Sequence, residues 1–127
     1  MTKEGALFNF FSRFGIGVYE ENTVYTMKEP PEFPYLTCEL ATGSFSDIIT
    51  IPMTVNLYYK SDSWTAINAK TEEISAVIGN GGRIIDFTGG HIWIKRGTPF
   101  AQSLGDPSDE RIRRKILNLQ LEFFSEN

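Results

Sequence analysis

The chain has 127 residues and carries 12 basic against 16 acidic side chains, a formal net charge of −4, with 41% hydrophobic, 13% aromatic and 22% charged residues. This balance is that of a globular protein of one domain, spanning 1–127, and it argues against non-specific binding to nucleic acid or to an anionic membrane. Cys38 is the only cysteine, which excludes an internal disulfide and a cysteine-built zinc site.

No apolar run approaches the roughly 20 residues of a membrane span. Lys3 and Glu4 stand where a secretory leader needs an uninterrupted apolar stretch. The expected place of synthesis is therefore a cytosol, or a particle assembled in one. The charge is uneven: residues 1–82 hold 5 basic and 10 acidic side chains, residues 83–127 hold 7 and 6.

At the N-terminus Thr2 suits a helix cap, and Leu7, Phe10, Phe11 and Phe14 recur at i, i+3, i+4 and i+7. This pattern predicts a helix over 3–14 closed by Gly15. Residues 16–25 read as irregular or briefly extended. Three prolines in residues 30–34 impose a loop-like path. Residues 35–42 alternate as a half-buried strand, with Cys38 on the apolar face as a small buried hydrophobe. After a turn at 43–47, residues 48–60 form a longer strand rich in β-branched and aromatic side chains. Pro52 within it predicts an edge position or a bulge. The two strands make a long hairpin that outreaches the body of the domain.

Ser63 caps a second helix whose Trp64, Ile67, Thr71, Ile74 and Ile78 share one side, and the Gly-rich stretch 79–82 ends it. That tract follows a helix and lacks a Gly-Lys-Ser/Thr sequence, so it reads as a terminator and not a phosphate loop. Residues 83–87 and 91–95 are strands joined by Thr88-Gly89-Gly90, with Ile92 and Ile94 on one face and His91, Trp93 and Lys95 on the other. Residues 97–110 read as a fourteen-residue loop, a length often tied to function. Residues 115–124 fit both periods, but the unbroken alternation from Leu117 to Phe123 selects strand. The basic cluster Arg111, Arg113, Arg114 and Lys115, preceded by Asp109 and Glu110, reads as a solvated or ion-paired segment.

No nucleophile–base pair, metal-ligand spacing or dinucleotide fingerprint is found, so no catalytic, metal or cofactor residue is assigned and the chain is not expected to be an enzyme. His91, the sole histidine, reads as an exposed strand residue.

Several segments, in this order, carry a resemblance to a known family. They are Phe14-Gly15-Ile16; Val18-Tyr19-Glu20-Glu21-Asn22-Thr23-Val24; Phe33-Pro34-Tyr35-Leu36-Thr37; Leu57-Tyr58-Tyr59 leading to Ser63-Trp64; and Ile92-Trp93-Ile94-Lys95-Arg96-Gly97 with Pro99-Phe100-Ala101-Gln102. The chain resembles the tail-terminator, or tail-completion (minor capsid), proteins of long-tailed, siphovirus-type bacteriophages and prophages. The resemblance implies an α+β fold: a mixed or antiparallel sheet of about five strands, including a long β-hairpin, with two helices packed on one face. It further implies a homo-hexameric ring in the virion, at the head-proximal end of the tail, assembled in the host bacterial cytoplasm. Its partners would be copies of itself, the tail-tube protein and the head–tail connector, with DNA passing through the lumen without specific binding and no membrane partner. Onto this sequence we carry the turn Ser44, Phe45, Ser46 and Asp47 and the stretch Phe100, Gln102, Leu104 and Asp106 as candidate contact residues. Phe45 and Phe100 are their apolar anchors, although Phe100 equally suits packing onto its own loop. Two other readings stand beside this one. The chain also suits a head-completion or head–tail adaptor, or, from a different class, a small ligand-binding or hydrolytic α/β domain.

Overall fold

In a computed structural model, residues 1–40, 50–105 and 109–125 are described. Helix α1 (Lys3–Phe11) starts where Thr2 Oγ1 accepts a hydrogen bond from the Gly5 amide at 2.9 Å. A 3-10 turn (Ser12–Phe14) extends it to Gly15, whose φ of 75° is the left-handed geometry that a Cβ resists. Next come β1 (Gly17–Glu20), a single turn α2 (Glu21–Val24), β2 (Tyr35–Leu40) and β3 (Ile51–Lys60). Helix α3 (Thr65–Ile78) leads to β4 (Arg83–Phe87), β5 (Gly90–Gly105) and β6 (Ile112–Ser125). Ser63 sits just before α3, its Oγ accepting from the Thr65 amide at 3.0 Å.

The six strands form one mixed sheet in the order β1-β2-β3-β6-β5-β4, with β1 parallel to β2 and the other pairs antiparallel. The expected α+β architecture is present, with six strands among the described residues where about five were expected, and one extra helical turn, α2. Residues 16–25, expected to be irregular, supply both β1 and α2.

Register assigns each side chain to a face. Leu36 faces Leu57, Cys38 faces Val55, Val55 faces Leu117, and Ile94 faces Leu121, all buried. Onto this face pack Leu7, Phe10, Phe11 and Phe14 of the N-terminal helical segment and Ile67, Ile74 and Ile78 of α3, in one continuous core. Helix α1 contacts β4 and also β1, the two end strands. Five strand spacings span about 24 Å, whereas nine helical residues span about 14 Å. The sheet therefore curls around α1, leaving the helices on its concave side.

Two strand expectations are corrected. Pro52 lies in an interior strand, opposite Gln120 of β6. It is tolerated there because it is the second residue of β3, and the described pairing with β2 reaches only to Met53. The expected loop 97–110 is instead mostly strand, because β5 continues to Gly105. Register jumps from Arg96↔Leu119 to Ala101↔Leu117, so four residues, including Gly97 and Pro99, face the single residue Asn118. A bulge thus absorbs the glycine and proline that mimic a loop in the sequence. Asn118 Nδ2 staples it, donating to the Pro99 carbonyl at 2.9 Å and to Gln102 Oε1 at 3.1 Å. The strand expected over 115–124 is observed, starting earlier at Ile112. The outer part of the long hairpin, including its turn, lies outside the described residues. The strand pairs that are described, from Tyr35↔Tyr58 to Leu40↔Met53, lie within the sheet.

Candidate assembly surfaces

The face that α1 and α3 do not cover divides into two parts. At its β1–β3 end, α2 crosses over it and a polar network fills the junction. Glu21 is the hub: Thr37 Oγ1 donates to Oε2, and Asn56 Nδ2 donates to the same oxygen at 3.3 Å. Asn56 Oδ1 in turn accepts from Arg114 Nε at 3.1 Å and Nη2 at 2.8 Å. Thr37 and Asn56 are buried although they lie on the face that α1 and α3 leave uncovered. Around them an aromatic group closes the junction. Tyr35 stacks on Tyr58 with ring centroids 4.8 Å apart, and Tyr19 and Phe33 meet Tyr35 at 6.0 and 5.3 Å. Burial pushes the Tyr58 hydroxyl above its ordinary pKa.

The rest of this face, across β6, β5 and β4, has no helix over it among the described residues. Alternation from the buried Leu117 places Asn118, Gln120, Glu122 and Phe124 of β6 here, beside Lys95, Trp93 and His91 of β5 and Ile84 and Asp86 of β4. Lys95 pairs with Glu122 at 3.5 Å and lies over the Trp93 ring. His91 Nδ1 is 2.7 Å from Asp86 Oδ1, both side chains being exposed. Ile84 is 63% exposed, Phe124 43% and Leu104 41%.

Past Arg96, β5 has no strand on its outer side among the described residues, since its pairing with β4 stops at Arg83↔Ile94. Among the described residues, 101–105 are thus a sheet edge paired with β6 alone, carrying Ala-Gln-Ser-Leu-Gly and no charge. Charged side chains and proline are the usual protection against edge pairing, and this edge has none within those five residues.

Of the sequence candidates, Gln102 and Leu104 sit on this edge and face away from the packed helices, opposite Ile116 and Arg114. Phe100, in the bulge, is partly buried against the core and also lines a groove of about 480 Å³ with Trp93, Lys95, Arg96 and Gln120. Ser44, Phe45, Ser46, Asp47 and Asp106 lie outside the described residues. Sequence reasoning missed the Glu21–Asn56–Arg114 network, whose bonds join residues 35 and 58 apart in the chain. The one local signal was polar Thr37 and Asn56 in otherwise buried strands.

Cys38 is buried beside this network. Burial raises its thiol pKa, and the nearby carboxylates of Glu21 and Glu20 raise it further. A group held protonated in the fold but free to ionise when unfolded stabilises the fold below its unfolded pKa. That contribution is lost as pH rises above it, by about 1.4 kcal/mol per pH unit. We expect one thiol to react with a disulfide reagent in denaturant and none in the native protein at pH 8. Native-state labelling as fast as that of free cysteine would contradict the burial.

Among the described residues no group of three or more His, Cys, Asp or Glu is placed to hold a metal ion, and no helix is long and apolar enough to cross a membrane. No protein-family model matches the chain, and no curated protein matches it.

Proposed function

We propose that this protein is a structural virion component that forms a homo-hexameric ring on the head-proximal end of a phage tail tube. The ring ends tube polymerisation and offers the surface that joins the tail to the head connector, with DNA passing through its lumen. The observation that carries this reading is the uncharged, open edge of β5, with exposed Leu104 beside the uncovered β6–β5–β4 face. A strand edge without protective charge suits permanent burial against another subunit. The order and length of the quoted segments support the choice of family.

A ring acts by shape. One surface complements a tube ring and the opposite one does not, so growth stops, while rotational closure fixes the number of copies. The wild-type protein is expected to sediment at about 86 kDa, six copies of the 14.4 kDa chain. Leu104→Asp should keep the melting behaviour, since exposed substitutions usually change stability by less than about 0.5 kcal/mol, but should sediment as monomer. In tail assembly, loss of the protein should give overlong tails that do not join heads. Tails of normal length that join capsids without it would rule the reading out.

A further inference from the structure

The large apolar side chains exposed among the described residues fall into two groups. Tyr25, 77% exposed, and Met27 follow α2 at the β1 end of the strand order. Met1, Ile84, Phe124 and Leu104 lie on the β4–β5–β6 side, where Met1 is tied to Thr88 by the Thr88 amide donating to its carbonyl at 2.8 Å.

Charge divides the same way. Residues 17–39, which form β1, α2, the loop after it and most of β2, hold five acidic side chains and one basic. Glu29, Glu32 and Glu39 are exposed, and no ion pair engages them among the described residues. Residues 83–105, which form β4 and β5, hold three basic side chains and one acidic. Lys95 and Arg96 are engaged within the fold, by Glu122 and by Ser75 and Asn80. Arg83 is exposed and has no carboxylate partner among the described residues. It lines a groove of about 310 Å³ between α1 and β4 with Arg13, Asn9, Ile84 and Asp86. Arg13 stacks on Phe10. Burial and then the like charge of Arg83 lower the Arg13 pKa.

One chain therefore carries two unlike surfaces, each with exposed apolar side chains and with opposite net charge. Joining like surfaces would set acid against acid or arginine against arginine, which is costly at close contact. Joining unlike surfaces neutralises both. Charges separated by more than about 8 Å are screened at physiological salt, so the gain requires direct apposition. A contact between two different patches is heterologous, and it closes into a ring where its rotation divides a full turn. Building on the ring reading, we infer that copies of this chain associate head to tail, with the acidic β1–α2 end of one copy, centred on Tyr25 and Met27, seated against the β4–β5 side of the next, from Arg13, Arg83 and Ile84 to the open edge at Leu104.

The test uses two full-length variants, Arg83→Glu and the double variant Glu29→Arg/Glu32→Arg, with their folding checked by thermal melting. Each alone carries like charge on both surfaces, so its self-association should weaken at least tenfold in sedimentation velocity relative to wild type. An equimolar mixture should recover oligomers of wild-type mass, because the surfaces are again opposite. A mixture that recovers dimers and nothing larger marks a symmetric contact and overturns the head-to-tail arrangement. Variants that associate as tightly as wild type overturn it too, and leave the ring reading standing with another interface. Wild type and mixture that both stay monomeric up to about 0.5 mM, where mass action favours assembly, overturn this contact. The ring reading is then judged separately by tail length in assembly.

Discussion

Phe11→Ala is expected to lower the stability of the fold by about 3–5 kcal/mol, the range for removing a buried aromatic ring. Phe11 is fully buried, its ring edge-on to Phe10 at 5.0 Å and tilted against Phe14 at 6.4 Å. It is the last residue of α1, the helix that bridges β1 and β4, so a void there weakens the element around which the sheet curls. Aromatic pairing adds about 0.5–1.5 kcal/mol to the burial of area. Against a total of about 5–15 kcal/mol for a domain, the loss is a large fraction. The melting temperature should fall by about 10–20 °C. Phe124→Ala is the control: the ring is 43% exposed, and its removal should cost under about 1 kcal/mol. Equal effects of the two substitutions in urea unfolding would refute the placement of α1 in the concavity.

Much of this core is legible in the sequence because helical period and strand alternation are local. The spacing of Phe10, Phe11 and Phe14, or of Ile67, Ile74 and Ile78, marks the buried side of each helical segment before any tertiary contact is known. The same holds for residues 115–124, where unbroken alternation outweighs a competing helical pattern. What local rules misread are positions whose neighbours come from far along the chain. Gly97 and Pro99 signal a loop, yet Asn118, roughly twenty residues on, holds them in a bulge within a strand. Pro52 signals an edge, but an edge is defined by which strands lie alongside. The insertion of β6 between β3 and β5 is a long-range pairing that no window of residues contains. Of the candidate contact residues, Gln102 and Leu104 were chosen from a supposed loop and lie instead on an open strand edge. Tyr25, Met27, Arg13 and Arg83 had no common signal in sequence. They group into two surfaces only when the strand order separates β1 from β4.

Asn56→Leu has the second largest expected effect, a loss of about 2–4 kcal/mol, because the side chain is similar in size while its hydrogen bonds are lost. Arg114 then loses the oxygen that accepts two of its N–H groups, and Glu21 loses one of its three side-chain donors, Thr37, Asn56 and Tyr25. Both charges are half-buried, so water compensates in part, and the cost is that of charged groups left short of partners rather than of a missing contact. The distinction is measurable. If lost pairing dominates, adding Arg114→Met should recover about 1–2 kcal/mol, since replacing both partners by apolar groups is nearly neutral. If instead the amide simply fills space, the double variant should be no more stable than the single one. Glu21 is also the residue that fixes α2 to the sheet, through Thr37 and Asn56 on two adjacent strands. Loosening it should speed amide exchange in β1 and α2 while leaving β5 and β6 protected, because the unit that opens is the one the network holds. It should also weaken self-association beyond what the loss of stability explains, since Tyr25 and Met27 ride on the segment that α2 anchors. A protein that loses stability at Asn56 but keeps wild-type assembly would show that α2 is held for the fold alone.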